Sequence, residues 1–114
     1  MNSTFVARGQ AALYVVSGVW PIVHMRSFET VSGPKADRWL VKTVGALLSL
    51  IGLVLWRGGQ EPVSPDIALL GVGSALVLAS VDVIYAGGGR ISKIYLLDAA
   101  AETGILAAWL LTRG

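Results

Sequence analysis

Apolar residues are grouped into four long segments, separated by short stretches rich in glycine, proline and charge. The segments cover residues 6–23, 39–56, 67–85 and 94–111. A helix of about 18 residues, rising about 1.5 Å per residue, nearly crosses a hydrocarbon core of about 30 Å. The pattern therefore predicts a single all-α integral membrane domain over residues 1–114. We expect a bundle of four transmembrane helices with both termini on the same side.

The connections contain residues that are typical of helix ends. Gly58 and Gly59 follow the second segment, and glycines at this position commonly end a helix. Ser64 and Pro65 precede the third segment, where serine is suited to cap a helix that begins with proline. Aromatic residues near predicted helix ends are typical of membrane interfaces, and five are present: Trp20, Trp39, Trp56, Tyr85 and Tyr95.

The composition excludes several other classes of protein. The chain is 54% hydrophobic and 14% charged, whereas soluble domains carry about 25% charged residues. A short soluble chain cannot bury so much apolar surface. The net charge is only +2 and there is no run of basic residues, so we expect no nucleic-acid partner. With no cysteine, one histidine and no cofactor motif, we expect neither a metal centre nor a cofactor.

Basic residues predict how the bundle is oriented. Five lie on the side of the first and third connections: Arg26, Lys35, Arg38, Arg90 and Lys93. Three lie on the opposite side: Arg8, Arg57 and Arg113. Because cytoplasmic loops carry an excess of lysine and arginine, we expect residues 24–38 and 86–93 in the cytoplasm and the termini outside. The expected location is the cell (inner) membrane.

Four charged residues lie within the predicted spans: Lys42, Asp82, Asp98 and Glu102. A charge at the bilayer centre costs about 2.5–3.5 kcal/mol even on insertion scales, so each needs a partner or a wet cavity. Their positions along the helices place three of them about 5–6 Å inside the same membrane face, with Glu102 one turn deeper. His24 ends the first helix at that face. Together with Tyr14 they form the predicted binding or proton-handling cluster.

Small residues follow these charges on the second and third helices: Gly45, Ser49, Gly52, Gly71, Ala75 and Ala79. Small residues at three- and four-residue spacing mark faces where membrane helices approach closely. We therefore expect the cluster to face the bundle interior. Part of the same stripe is suited to contact a second copy of the chain or a partner membrane helix, and the sequence leaves this division open.

The predicted cluster has one lysine for three carboxylates. Burial and mutual repulsion both favour the protonated acid, so we expect at least one protonated carboxyl group near neutral pH. Glu102 is the strongest candidate, because it is deepest and farthest from Lys42. The structural alternative is an ion pair of Lys42 with Asp82 or Asp98, with Glu102 hydrogen-bonded to Tyr14 or to the serine of the second helix.

Three functions are consistent with these features. The first is a transporter or channel that handles protons or a small charged solute, since such proteins use buried titratable carboxylates. The second is a non-catalytic scaffold or accessory subunit. The third is a lipid-binding protein or a lipid-directed enzyme, with Asp98, Glu102 and His24 as acid/base groups. The chain has no nucleophile motif, so the non-enzymatic functions are favoured.

Two further patterns concern the architecture. The stretches 33–45 and 88–101 share a pattern of glycine, basic, aromatic and intramembrane charged residues, and a spacing of 56 residues aligns Lys42 with Asp98. Either a 2+2 duplication or chance similarity between hydrophobic helices explains it. In length and number of predicted spans the chain resembles the small multidrug transporters. Those carry a glutamate in the first helix, where this chain has no acidic residue, so the resemblance implies no residue role.

Overall fold

The computed structural model describes residues 2–33, 38–89 and 93–113, and within them the chain is all-helical. The helices are α1 (Ser3–Val23), α2 (Met25–Ser32), α3 (Arg38–Gly58), α4 (Pro65–Gly87) and α5 (Tyr95–Arg113). The four long helices correspond to the four predicted segments, and every end lies within about three residues of its predicted position. Residues 34–37 and 90–92, which belong to the predicted loops 24–38 and 86–93, lie outside the described residues.

Two of the predicted helix boundaries are confirmed by local structure. α3 ends at Gly58, the first glycine after the apolar segment. The Ser64 side chain accepts a hydrogen bond from the backbone N–H of Ile67 at 3.2 Å, and Pro65 is the first residue of α4. The cap satisfies one of the backbone donors that every helix leaves free at its start.

The predicted loop 24–38 contains a short helix, α2, which the hydrophobicity pattern does not predict. His24 joins α1 to α2: its N–H donates to the Trp20 carbonyl at 2.8 Å, and its Nδ1 accepts from the Ser27 N–H at 3.2 Å. The Trp20 ring also meets Phe28 of α2 edge to face, with 5.4 Å between ring centroids. These contacts fold α2 back over the end of α1.

The four long helices run in alternating directions. α1 packs along α3 and α4 packs along α5, whereas the contacts of α1 with α5 and of α3 with α4 are much less extensive. The start of α1 lies near residues 59–64, because the Thr4 N–H donates to Glu61 Oε1 at 3.3 Å. The last turns of α5 lie at the same end of the bundle, because Trp109 packs against Gly71 near the start of α4. We call this end of the bundle the terminal side. The opposite end, with α2 and the connection from α4 to α5, is called the turn side.

Among the described residues, two helices are long and apolar enough to cross a membrane: α3 and α4. In the most apolar 18-residue stretch of each helix, only 17% (α3) and 22% (α4) is buried. A core helix of a soluble protein instead buries its apolar side chains. This exposure indicates a membrane location. The prediction of four spans is supported for these two helices only, because Arg8 and Gln10 make α1 less apolar, and Asp98 and Glu102 do the same for α5.

Small residues of α3 bring its backbone against α1. A Cβ atom at Gly45 would overlap the carbonyl oxygen of Gly18, and one at Gly52 would lie 2.9 Å from the carbonyl oxygen of Ala11. Ser49, which lies between Gly45 and Gly52 on α3, also faces α1: a Cβ atom at Gly18 would be 2.6 Å from the Ser49 Oγ. This face of α3 therefore contacts a helix of the same chain.

Two of the three predicted small residues of α4 lie in the bundle interior. Gly71 and Ala75 are buried, and Ala79 is half-buried. The ring of Trp109 lies over Gly71, where a Cβ atom would be 2.7 Å from three of the ring atoms. The small side chains thus leave room for a large one from the neighbouring helix.

Candidate functional site

Six polar side chains from α1, α4 and α5 form a continuous group inside the bundle, which we call the polar network. From the terminal side to the turn side they are Trp109, Gln10, Tyr14, Glu102, Asp98 and Asp82. The first four are at most 1% exposed, and Asp82 is 5% exposed. Asp98 is half-buried. The network therefore becomes less enclosed towards the turn side.

A series of hydrogen bonds connects the terminal-side part of the network, donated in turn from Trp109 towards Glu102. The Trp109 Nε1–H donates to Gln10 Oε1 at 2.7 Å. Gln10 Nε2 donates to the Tyr14 hydroxyl at 3.0 Å and to the Gly71 carbonyl oxygen at 2.8 Å. The Tyr14 hydroxyl then donates to Glu102 Oε1 at 2.6 Å. Apart from the bond to Gly71, each donor in this series points towards the carboxyl group of Glu102.

Helical spacing explains why these side chains meet. Gln10 and Tyr14 are four residues apart on α1 and share a face. Asp98 and Glu102 are also four apart on α5, and Trp109 follows seven residues after Glu102 on the same face. Because α1 and α5 are antiparallel and in contact, these faces oppose each other along the bundle interior.

Three carboxyl groups form the turn-side part of the network, which we call the acidic cluster: Asp82, Asp98 and Glu102. The Asp98 side chain lies next to both other carboxyl groups. Asp82 Oδ2 is buried and has no hydrogen-bond partner among the described residues. No described lysine or arginine forms an ion pair with the acidic cluster. The ion pair seen among the described residues lies elsewhere, between Arg38 of α3 and Glu29 of α2, at 2.7 Å.

Two residues of the predicted cluster lie elsewhere. Lys42 is exposed, so the expectation that it faces the bundle interior is wrong. The structural alternative, an ion pair of Lys42 with Asp82 or Asp98, is not seen among the described residues. Lys42 lies in the second turn of α3, and a lysine this close to a helix end can extend its charge towards the membrane surface. His24 is exposed and is engaged with Ser27, which follows from its position between α1 and α2. The structure therefore brings four of the six predicted residues together.

Two residues of the network, Gln10 and Trp109, were not among the predicted site residues. Both have a signal in the sequence. Gln10 lies one turn before Tyr14, and Trp109 shares the face of α5 that carries Glu102. A tryptophan N–H and a side-chain amide on the buried faces of two neighbouring helices are suited to hydrogen-bond with each other.

The chemistry of the network is that of proton exchange and hydrogen bonding. Carboxyl and phenol groups both donate and accept protons. Across residues 2–33, 38–89 and 93–113, no three His, Asp or Glu side chains are arranged to hold a metal ion.

No protein-family model matches this chain, and no curated protein or solved structure matches it. The polar network is therefore the basis on which a function is assigned.

Proposed function

We propose that this protein is a small proton-handling membrane protein of the transporter or channel type, in which the acidic cluster takes up and releases protons. The supporting observation is that Asp98 lies next to two buried carboxyl groups, Asp82 and Glu102, without a basic partner among the described residues. An ion pair that fixes helix register needs an opposite charge. Three ionised carboxylates this close in an apolar bundle would repel one another strongly, so the cluster retains protons.

The tight packing of the network favours the proton over a larger charged solute. Tyr14 and Glu102 are each 1% exposed and bonded directly to each other, which leaves no space for a solute between them. We place the protein in the cell (inner) membrane, with residues 24–38 and 86–93 towards the cytoplasm. Lipid, a second copy of the chain or partner membrane helices would cover the exposed apolar faces of α3 and α4.

Proton flux into liposomes tests this function. The purified protein is reconstituted with a trapped pH-sensitive dye, and a potassium diffusion potential drives proton entry. We expect flux above that of protein-free liposomes. Glu102→Gln and Asp98→Asn should each reduce it about 100-fold, which is the scale of a positioned proton-transfer group.

The matched control is Asp66→Asn, since Asp66 is an exposed carboxylate in the first turn of α4. This variant should retain wild-type flux. The proposal is wrong if wild-type liposomes take up protons no faster than protein-free ones, or if Glu102→Gln leaves the flux unchanged. Either result would favour the scaffold function, for which the Tyr14–Glu102 hydrogen bond would serve only to hold α1 against α5.

Lipid binding is a second candidate function, favoured by an apolar groove of about 600 Å³ between α3 and α4. On α3 it is lined by Val44, Leu47, Leu48 and Ile51, and on α4 by residues between 66 and 78. The groove lies outside the acidic cluster. It opens sideways between two exposed apolar helices, which is the direction from which an acyl chain would enter.

Filling the groove tests lipid binding. Gly73 lines the groove, and a Cβ atom added there would meet no other atom within 4 Å, so Gly73→Phe would occupy the space without disturbing the helix contacts. We expect this variant to lose most of the lipid that native mass spectrometry detects on the wild type. Gly104→Phe is the control, because Gly104 is equally open but lies on α5. Equal lipid retention in both variants would exclude the groove as the binding site.

A further inference from the structure

The two ends of the polar network differ in access to water. At the turn-side end Asp98 is half-buried, and Lys93 and Ile94, which precede α5, are exposed. At the terminal-side end Gln10 and Trp109 are both 0% exposed. Water can therefore approach the acidic cluster from the turn side, whereas the terminal end is enclosed.

The enclosed end also lacks groups that can pass a proton on. A relay needs groups that accept a proton on one side and release one on the other, as carboxyl and phenol groups do. The indole N–H of Trp109 only donates, and the amide hydrogens of Gln10 stay on the nitrogen. Protons can therefore move between the acids and Tyr14, whereas Gln10 forms the barrier that limits their passage to the terminal side.

The packing around Gln10 leaves no space for a water molecule that would carry protons past its side chain. Its carbonyl oxygen accepts from Trp109, and its amide nitrogen donates to Tyr14 and to the Gly71 carbonyl oxygen. A buried water needs two to four polar partners, and both amide hydrogens of Gln10 are already engaged. The Trp109 ring, seated on Gly71, fills the adjacent space.

The geometry points to Gln10 as a positioning residue that closes the terminal end of the polar network, so that the acidic cluster exchanges protons with water from the turn side. Trp109 and the Gly71 carbonyl oxygen hold Gln10 in place. This inference rests on the proposed proton-handling function. The titratable groups that face the closed end are Tyr14 from α1 and Glu102 from α5, with Asp98 and Asp82 behind them, and Lys42 of α3 is exposed.

A pair of substitutions at Gln10 separates closure from simple structural support. Gln10→Ala leaves space and free polar partners for water, whereas Gln10→Met keeps the space filled with a side chain that passes no proton. In the liposome assay we expect proton flux through Gln10→Ala to exceed wild type about ten-fold or more, which is the effect of lowering a barrier by roughly one hydrogen bond. Gln10→Met should stay at or below the wild-type rate. Adding Glu102→Gln to Gln10→Ala should abolish the gain.

A second variant tests the same closure without changing Gln10. Gly71→Ala forces the Trp109 ring away from its seat, whereas Gly73→Ala, two residues along the same helix, meets no atom within 4 Å. We expect Gly71→Ala to raise flux and Gly73→Ala to leave it unchanged, each measured on protein with a wild-type circular dichroism spectrum.

The outcomes distinguish the two proposals. If wild-type flux depends on Glu102 but neither Gln10→Ala nor Gly71→Ala raises it, the closure is wrong and the proton-handling function stands. Equal gains in Gln10→Ala and Gln10→Met would also overturn the closure, because loosened packing alone would then explain them. If none of these proteins, including the wild type, conducts protons, the proposed function itself fails.

Discussion

Replacing Trp109 with alanine is expected to lower the free energy of unfolding by about 3–5 kcal/mol, the usual cost of truncating a buried aromatic side chain. The ring is 0% exposed and lies against Gly71, so its removal leaves a cavity between α4 and α5. The change also leaves the buried carbonyl oxygen of Gln10 without its donor. A buried polar atom that loses its partner adds its own desolvation cost.

Reversible unfolding in detergent micelles, followed by circular dichroism, measures this loss. Trp39→Ala is the matched control, because Trp39 is 69% exposed near the start of α3. We expect it to change the unfolding free energy by no more than about 0.5 kcal/mol, as for most exposed positions. Similar losses in the two variants would contradict the position of Trp109 in the core.

The long helices could be predicted because their signals are local. Each apolar segment is bounded by residues that end or begin a helix, such as Gly58 and Ser64, and these act within one turn. α2 was missed because it is short and depends on contacts made by the end of α1. Its position rests on His24 and on the packing of Phe28 against Trp20. A hydrophobicity pattern does not contain this information.

The site shows the same division between local and long-range information. Helix direction and the rise of about 1.5 Å per residue placed Asp82 and Asp98 at similar depth, and the structure brings their side chains together. Helix rotation is set by the neighbouring helix, so the side on which Lys42 lies could not be predicted from its own segment. The Gln10–Trp109 hydrogen bond joins residues 99 positions apart. It depends on the way α1 packs against α5.

Replacing Gly45 with alanine is expected to destabilise the protein by about 1–3 kcal/mol, the usual cost of overpacking a close contact. The new Cβ atom would overlap the carbonyl oxygen of Gly18. Because that oxygen belongs to the backbone, no change of rotamer relieves the overlap, and α1 and α3 must move apart. Their separation would also loosen the contact between Gly52 and α1.

The control for Gly45→Ala is a glycine-to-alanine substitution that we expect to raise the free energy of unfolding instead of lowering it. Gly104→Ala on α5 meets no atom within 4 Å, and alanine is favoured over glycine in a helix by about 1 kcal/mol. We therefore expect a small gain in stability from Gly104→Ala and a loss from Gly45→Ala in the same unfolding assay. Equal effects would contradict the contact between the α1 and α3 backbones. If Gly45 instead contacted a second copy of the chain, its effect on stability would depend on protein concentration. A loss that is independent of concentration would assign this face of α3 to packing within one chain.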